Sequence, residues 1–247
     1  MTDMLTEPHH VRSAAPAPRS AARWSMAGGV VAGPLFLAAG FSQGFTRDGF
    51  DFTRNAISQL ALGEAGWIQT ASFVLTGALL LVGVTGLWRV LRGGPGGTWG
   101  PALVAVFGVS FWAAAAFPAD AGAGFPVGTP EATAMSGHGA AHMLGGMVGY
   151  LALCAAFVVL ARPLAARGLR SWAVASRVVP VFVLAGFTAS AASVLAFTVG
   201  AGLGLLWLGA VTARLATVRS NGRDDAGRSV RGPLSKASVR TSSSTVC

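Results

Sequence analysis

The chain has 247 residues, 53% of them hydrophobic and only 11% charged, and the charges fall in short segments between long uncharged runs, which excludes a water-soluble domain of this length. A net charge of +9 brings nucleic acid to mind as a partner, but the basic residues lie in loops and tails beside the apolar runs and form no single basic face, so nucleic-acid binding is excluded too. Cys154 lies inside an apolar run and Cys247 is the last residue, so neither a disulfide nor a thiolate metal framework is implied.

Residues 1–23 are rich in Ala, Pro and Arg without a hydrophobic period, and they are expected to form a disordered tail. The first apolar run, Met26 to Phe45, has arginines ahead of it like a signal peptide, yet it is long for a cleaved apolar core and five more runs follow. It is read as a retained span. The others are Trp67 to Trp88, Trp99 to Phe117, His138 to Ala161, Trp172 to Ser193 and Thr198 to Thr217. Each is near the roughly 20 residues that carry a helix across about 30 Å of hydrocarbon. The expected fold is therefore an all-α polytopic transmembrane bundle of six spans over residues 24–217. Residues 218–247 are polar, Ser- and Arg-rich, and expected to be disordered, with anionic lipid as a candidate contact for their basic groups.

Loop charges predict the orientation, since Lys and Arg accumulate on the cytoplasmic side. The N-terminal tail, the second loop, the fourth loop and the C-terminal part carry net charges of +1, +2, +4 and +5. The first and third loops carry −1 and −2, which places both termini in the cytoplasm and loops one and three outside. Tryptophans 24, 67, 88, 99, 172 and 207 fall mostly at span ends, as an interfacial belt requires. Glycine pairs four apart, Gly29 with Gly33, Gly145 with Gly149 and Gly200 with Gly204, are read as helix packing and not as a dimer signal; the oligomeric state is left open.

Polar residues gather at the outer ends of the spans: Ser42 and Gln43, Gln69, Thr70 and Ser72, Asp120, His138 and His142, Ser190 and Ser193. Such groups bordering hydrocarbon are costly unless they meet a partner or a wet cavity, so a polar pocket open to the outer face is expected. In the first outer loop, Asp51 to Trp67, a short helix is expected with Ile57, Leu60 and Ala61 on one side and Asn55, Ser58, Gln59 and Leu62 on another, ended by Gly63. It would lie along the interface or fold over the bundle with its polar side inward. Arg54, Asn55, Ser58 and Gln59 are the candidate ligand-binding residues, with Arg54 placed to hold an anionic group and Asp120 to pair with Arg54 or a histidine.

His138 and His142 are one helical turn apart, the spacing that lets two imidazoles share a metal ion. Asp120 is the best-placed third ligand. No cofactor is otherwise expected, and zinc at His138, His142 and Asp120 is the one metal candidate, where it would activate water for hydrolysis of a lipid or ester. Against it stand the missing Glu of a zincin motif and the frequent interfacial or capping role of a histidine at a span boundary. No nucleophile elbow, phosphate loop or dinucleotide fingerprint is present.

The order of these pieces resembles a known family. An apolar first helix, the loop FDFTRNAISQLALGEAGW, a second helix containing Gly77, a third ending AAFPAD and HGAAH opening the fourth are similar to the DUF998 family of bacterial six-helix membrane proteins. The resemblance covers Met26 to Leu215, and its best marker is Asn55 to Gly63 with Trp67 after it. It implies a fold and a membrane location, and it supplies no catalytic residues. More distantly, the paired histidines and aspartate resemble membrane ceramidase-like metal hydrolases, which have seven spans and further histidines. The expected function is binding or sensing of a small or lipid-like ligand in an outward pocket of the cell membrane, or a structural role in the envelope. The alternative is a metal-assisted membrane hydrolase.

Overall fold

The structure is a computed structural model, and it describes residues 19–131 and 134–229. Six helices account for most of it: α1 (Arg19–Thr46), α2 (Gly66–Leu91), α3 (Trp99–Ala116), α4 (Gly137–Ala166), α5 (Arg170–Ala189) and α6 (Val194–Ser229). A single-turn 3-10 helix, Ile57–Ala61, stands in loop one where the short helix was expected. Most of the 1–23 tail and the 230–247 part of the basic tail lie outside the described residues. Helix α6 itself continues to Ser229, past the expected boundary at Thr217.

All six helices carry an apolar stretch long enough to cross a membrane, from 18 residues in α3 to 30 in α4. Only 33% to 50% of each apolar stretch is buried inside the protein. The remainder, with Val74, Val82, Leu144, Val148 and Val181 on the outer surface, needs an apolar surrounding in place of water. The chain is thus a multi-pass membrane protein whose outer surface would contact the bilayer.

Each helix packs against its neighbour in sequence, and α6 closes on α1, so the helices form a ring. With connections as short as 167–169 and 190–193, consecutive helices run antiparallel, and both ends of the bundle chain lie at one end of it. Loops one, three and five share the opposite end, called here the loop-one end. Small residues set the closest crossings. A Cβ on Gly83 would meet the Cα of Gly29 at 2.8 Å, and one on Gly186 would meet the Cα of Gly200 at 3.1 Å. The expected glycine pairs thus pack helices within one chain.

In the terminal half the ring is filled by Leu87, Leu91, Phe157, Leu160, Leu208, Val211 and Leu215. Trp24, Trp67, Trp88 and Trp99 are exposed at helix ends, as an aromatic belt requires. Trp207 is different: it lies inside the bundle wall, stacked on Trp172 at 5.2 Å, and its Nε1 donates to Ser176 Oγ at 3.1 Å. The buried hydroxyl of Ser176 supplies an acceptor for this half-buried indole, which lets the tryptophan stand away from the belt.

Candidate functional site

The loop-one end is built around Arg47, which no sequence pattern singles out. Its guanidinium donates to Leu60 O at 2.6 Å and Leu62 O at 2.7 Å, and stands 4.9 Å from the ring centre of Phe125 in loop three. Gly63 follows with φ +73°, a left-handed conformation that turns the chain toward α2. Ile57 and Leu60 are buried, Ile57 against Gly40 of α1. Loop one therefore folds over the bundle, the second of the two expected placements, with Ser58 and Gln59 of its polar side lining the cavity and Ile57 and Leu60 buried beside them. Burial of the two aliphatic side chains contributes about 1.5–3 kcal/mol each to holding the loop there.

Asn55 is fully buried, and its Oδ1 accepts from Asp51 N at 2.9 Å. Its Nδ2 points to Gln59 Oε1, Gly122 O and Ala123 O, each at 3.4 Å. Gln59 Nε2 donates to Asp120 O at 3.1 Å. The two amides tie loop one to loop three. Loop five joins them through Val194 N, which donates to Thr53 O at 2.9 Å. Arg54 pairs with Glu131, both side chains remaining exposed. The pair pushes Arg54 above its ordinary pKa, and the hydroxyl and amide of Thr53 hold Asp51 below the usual carboxylate range.

Beneath this roof lies a cavity of about 320 Å³, at the lower end of the range of about 300–1,000 Å³ typical of ligand sites. Loop one closes its top with Arg54, Ala56, Ile57, Ser58 and Gln59. Phe36, Phe73 and Phe111 form one wall, packed on one another at 5.2 to 6.1 Å. Tyr150, Phe187 and Phe197 form the other, with centroids 4.8 to 5.8 Å apart. Polar atoms are few. Ser110, His142, Ser190 and Thr198 also line the space, and Thr198 Oγ1 is buried without a hydrogen-bond partner.

The expected site residues separate into two groups. Arg54, Ser58, Gln59 and His142 reach the cavity, whereas Asn55, His138 and Asp120 do not. Asp120 holds the N-cap of α4, Ser136: Ser136 N donates to Oδ2 at 2.9 Å and Ser136 Oγ to Oδ1 at 2.5 Å, while Ser136 Oγ accepts from Gly139 N at 2.9 Å. These bonds to Ser136, hydroxyl first and amide second, hold the Asp120 carboxyl below its ordinary pKa, with the two histidines adding to the effect. Asp120 pairs with Ser136, not with Arg54, because an oxygen acceptor is what an exposed helix N-terminus lacks.

His142 Nδ1 donates to Phe117 O at 2.8 Å, which fixes the tautomer and leaves Nε2 as the acceptor when the ring is neutral. His138 is exposed and packs edge-on against Phe117 at 5.8 Å. Among the described residues no group of three or more His, Cys, Asp and Glu side chains is placed to hold a metal. The bond from His142 Nδ1 leaves Nε2 open, but both Asp120 oxygens are taken by Ser136, so the three side chains are not gathered as a zinc ligand set in this arrangement.

Of the other polar residues noted at this level, Ser190 lines the cavity and Ser42 is exposed away from it. Ser72 is buried, and Gln43 Nε2 donates to Gln69 Oε1 at 2.8 Å between α1 and α2. Ser190 at the end of α5 was part of the expected polar level, whereas Phe187, Phe197 and Thr198 were not.

A ring of six apolar helices with one roofed, mainly aromatic cavity defines a membrane protein with an internal ligand-sized site. The chain belongs to the family described as "Protein of unknown function (DUF998)", whose model matches residues 30–218. No curated protein and no solved structure matches it.

Proposed function

We propose that this protein binds or senses a small or lipid-like ligand in the cavity beneath loop one, in the cell membrane, with the loop-one end facing outward and both termini in the cytoplasm. The observation that carries the reading is the cavity itself: an apolar, aromatic space of about 320 Å³ with a few polar atoms on its wall. The buried Thr198 hydroxyl without a partner adds weight. An unpaired buried hydroxyl costs about 1–3 kcal/mol, which a bound ligand or water would relieve. The alternation of loop charge supports the orientation. The metal-hydrolase alternative has less support, since Ser136 takes both Asp120 oxygens and His138 stands exposed outside the cavity.

Native mass spectrometry of the detergent-purified protein tests this. Gly146 lines the cavity, and a Cβ built on it meets nothing within 4 Å, so Gly146→Phe fills the space without a backbone clash. The wild type is expected to carry a co-purifying molecule that Gly146→Phe loses. Equal retention by a correctly folded Gly146→Phe variant refutes a ligand in the cavity.

A further inference from the structure

The cavity has a side as well as a roof. Met143, Met147 and Cys154 share one flank of α4, the flank turned toward α5, since Gly145 and Gly149 face Ala113 and Ser110 of α3. Along that flank the exposure changes steeply: Cys154 is 7% exposed, Met147 47% and Met143 59%. The facing flank of α5 changes the same way, from Ala173 at 1% and a buried Pro180 to Leu184 at 42%. The two helices therefore part toward the loop-one end. The cause lies on the other side of α5, where Gly186 and Gly200 bring its backbone against α6, with a Cβ on Gly186 reaching Ala196 O at 2.6 Å. Drawn to α6 and ending at Ala189, two residues past Phe187, α5 leaves α4 uncovered above the Tyr150 to Phe187 contact at 5.7 Å. Met143 and Met147 line the cavity and the outer surface at once.

We propose that this gap between α4 and α5 is a lateral portal through which one hydrocarbon chain of a membrane lipid enters the cavity, and that the lipid has a zwitterionic or neutral head. This rests on the ligand-binding reading above. The gap opens at the level of an apolar outer surface, so what meets it is lipid, and the two methionines are flexible apolar side chains suited to an irregular chain. The head would remain at the water boundary beside Ser190 and Arg54. Arg54 is already paired with Glu131, and loops one and three together carry a net charge of −3, which disfavours an anionic head.

The test uses the full chain in nanodiscs that contain a lipid bearing a diazirine on one acyl chain, as phosphatidylcholine or as phosphatidylglycerol, with mass-spectrometric mapping after irradiation. Label is expected on Met143, Met147, Tyr150 and Phe187, stronger from phosphatidylcholine, and lost from Tyr150 and Phe187 in Gly146→Phe. Label confined to surface residues such as Leu144 and Val148, or cavity label that Gly146→Phe leaves intact, overturns the portal. Stronger labelling from phosphatidylglycerol overturns the assignment of the head. A water-delivered short-chain diazirine ester separates the two levels of the argument. If it labels the cavity and the bilayer lipids do not, the portal falls and the binding site stands; if neither labels the cavity, both fall.

Discussion

Replacing Asn55 with alanine separates a residue that holds the roof together from one that meets a ligand. The side chain is fully buried and makes one short bond, accepting from Asp51 N at 2.9 Å, plus three longer approaches at 3.4 Å to Gln59, Gly122 and Ala123. A typical hydrogen bond contributes about 1 kcal/mol net, and leaving a buried donor or acceptor unmatched costs about 1–3 kcal/mol. Three of the four contacts are long, so a loss of about 1–2 kcal/mol is expected, local to the roof. One to two kcal/mol is a factor of about 5–30 in an opening equilibrium. Hydrogen exchange of the detergent-purified protein reads this directly. Amides of residues 51–62 and of residues 122–125 should exchange about 5–30-fold faster in Asn55→Ala, together, while α4 and α6 stay unchanged. Ser58→Ala, which removes a cavity-lining hydroxyl without touching the tie, should leave both segments at their wild-type rates. Acceleration of loop one alone, or of neither loop, refutes the assignment of Asn55 as the link.

Two further outcomes probe the start of α4. A Cβ on Gly139 would overlap the Asp120 carboxylate, whereas one on Gly137 meets nothing within 4 Å. Gly139→Ala should therefore cost about 1–3 kcal/mol, read as a lower thermal midpoint, and Gly137→Ala should be neutral or slightly stabilising. Acid should act through the same place. Because Asp120 and Asp51 hold folded pKa values below their ordinary ones, the unfolded chain binds protons more readily, and the stability they contribute is complete above about pH 4 and lost as pH falls through the lowered values. Thermal midpoints should be flat with respect to these groups from neutral pH down to about 4 and fall below it, less steeply in Asp120→Asn.

The spans were legible because a run of about 20 apolar residues has few alternatives in a chain of this composition. Their exact ends were less so. The sixth was expected from Thr198 and begins at Val194, because the backbone of Val194 bonds to Thr53 in loop one, a contact distant in sequence. Of the site, the local parts could be read: the turn of helix in loop one, the amphipathic placement of Ile57 and Leu60, the level shared by Ser190 and His142. The wall made by Tyr150, Phe187 and Phe197 could not, because a helix apolar on all sides has no stripe to tell an inward phenylalanine from a lipid-facing one. Asp120 misled for a related reason. Its proximity to two histidines was visible in the sequence, but the partner that takes both its oxygens, Ser136, becomes apparent only when the loop between them is closed.

Residue size along the ring explains why the cavity lies where it does. In the terminal half, Gly28, Gly29, Gly83 and Gly86 let α1 and α2 touch backbone to backbone, and Gly209 does the same for α6 against Val30. Branched side chains can then fill the narrow centre. In the loop-one half, Phe36, Phe73 and Phe111 stand between α1, α2 and α3, and Tyr150, Phe187 and Phe197 between α4, α5 and α6. The two aromatic groups stand on separate walls of the gap and are joined at one point by Phe107, which packs on Phe111 at 5.2 Å and on Tyr150 at 5.4 Å. Interiors normally close such gaps, since a void forfeits dispersion contacts on every lining atom. Six rings packed on one another resist closing the gap by rotamer changes alone. On the ligand-binding reading, selection would rest on the cross-section of an apolar group more than on hydrogen bonds, of which the walls offer few. The roof would then set what stands at the water boundary. Its bonds fold loop one on itself through Arg47 and Asn55 and tie it to loop three through Asn55 and Gln59, while Arg54, Ser58 and Gln59 are the polar side chains of loop one that line the cavity.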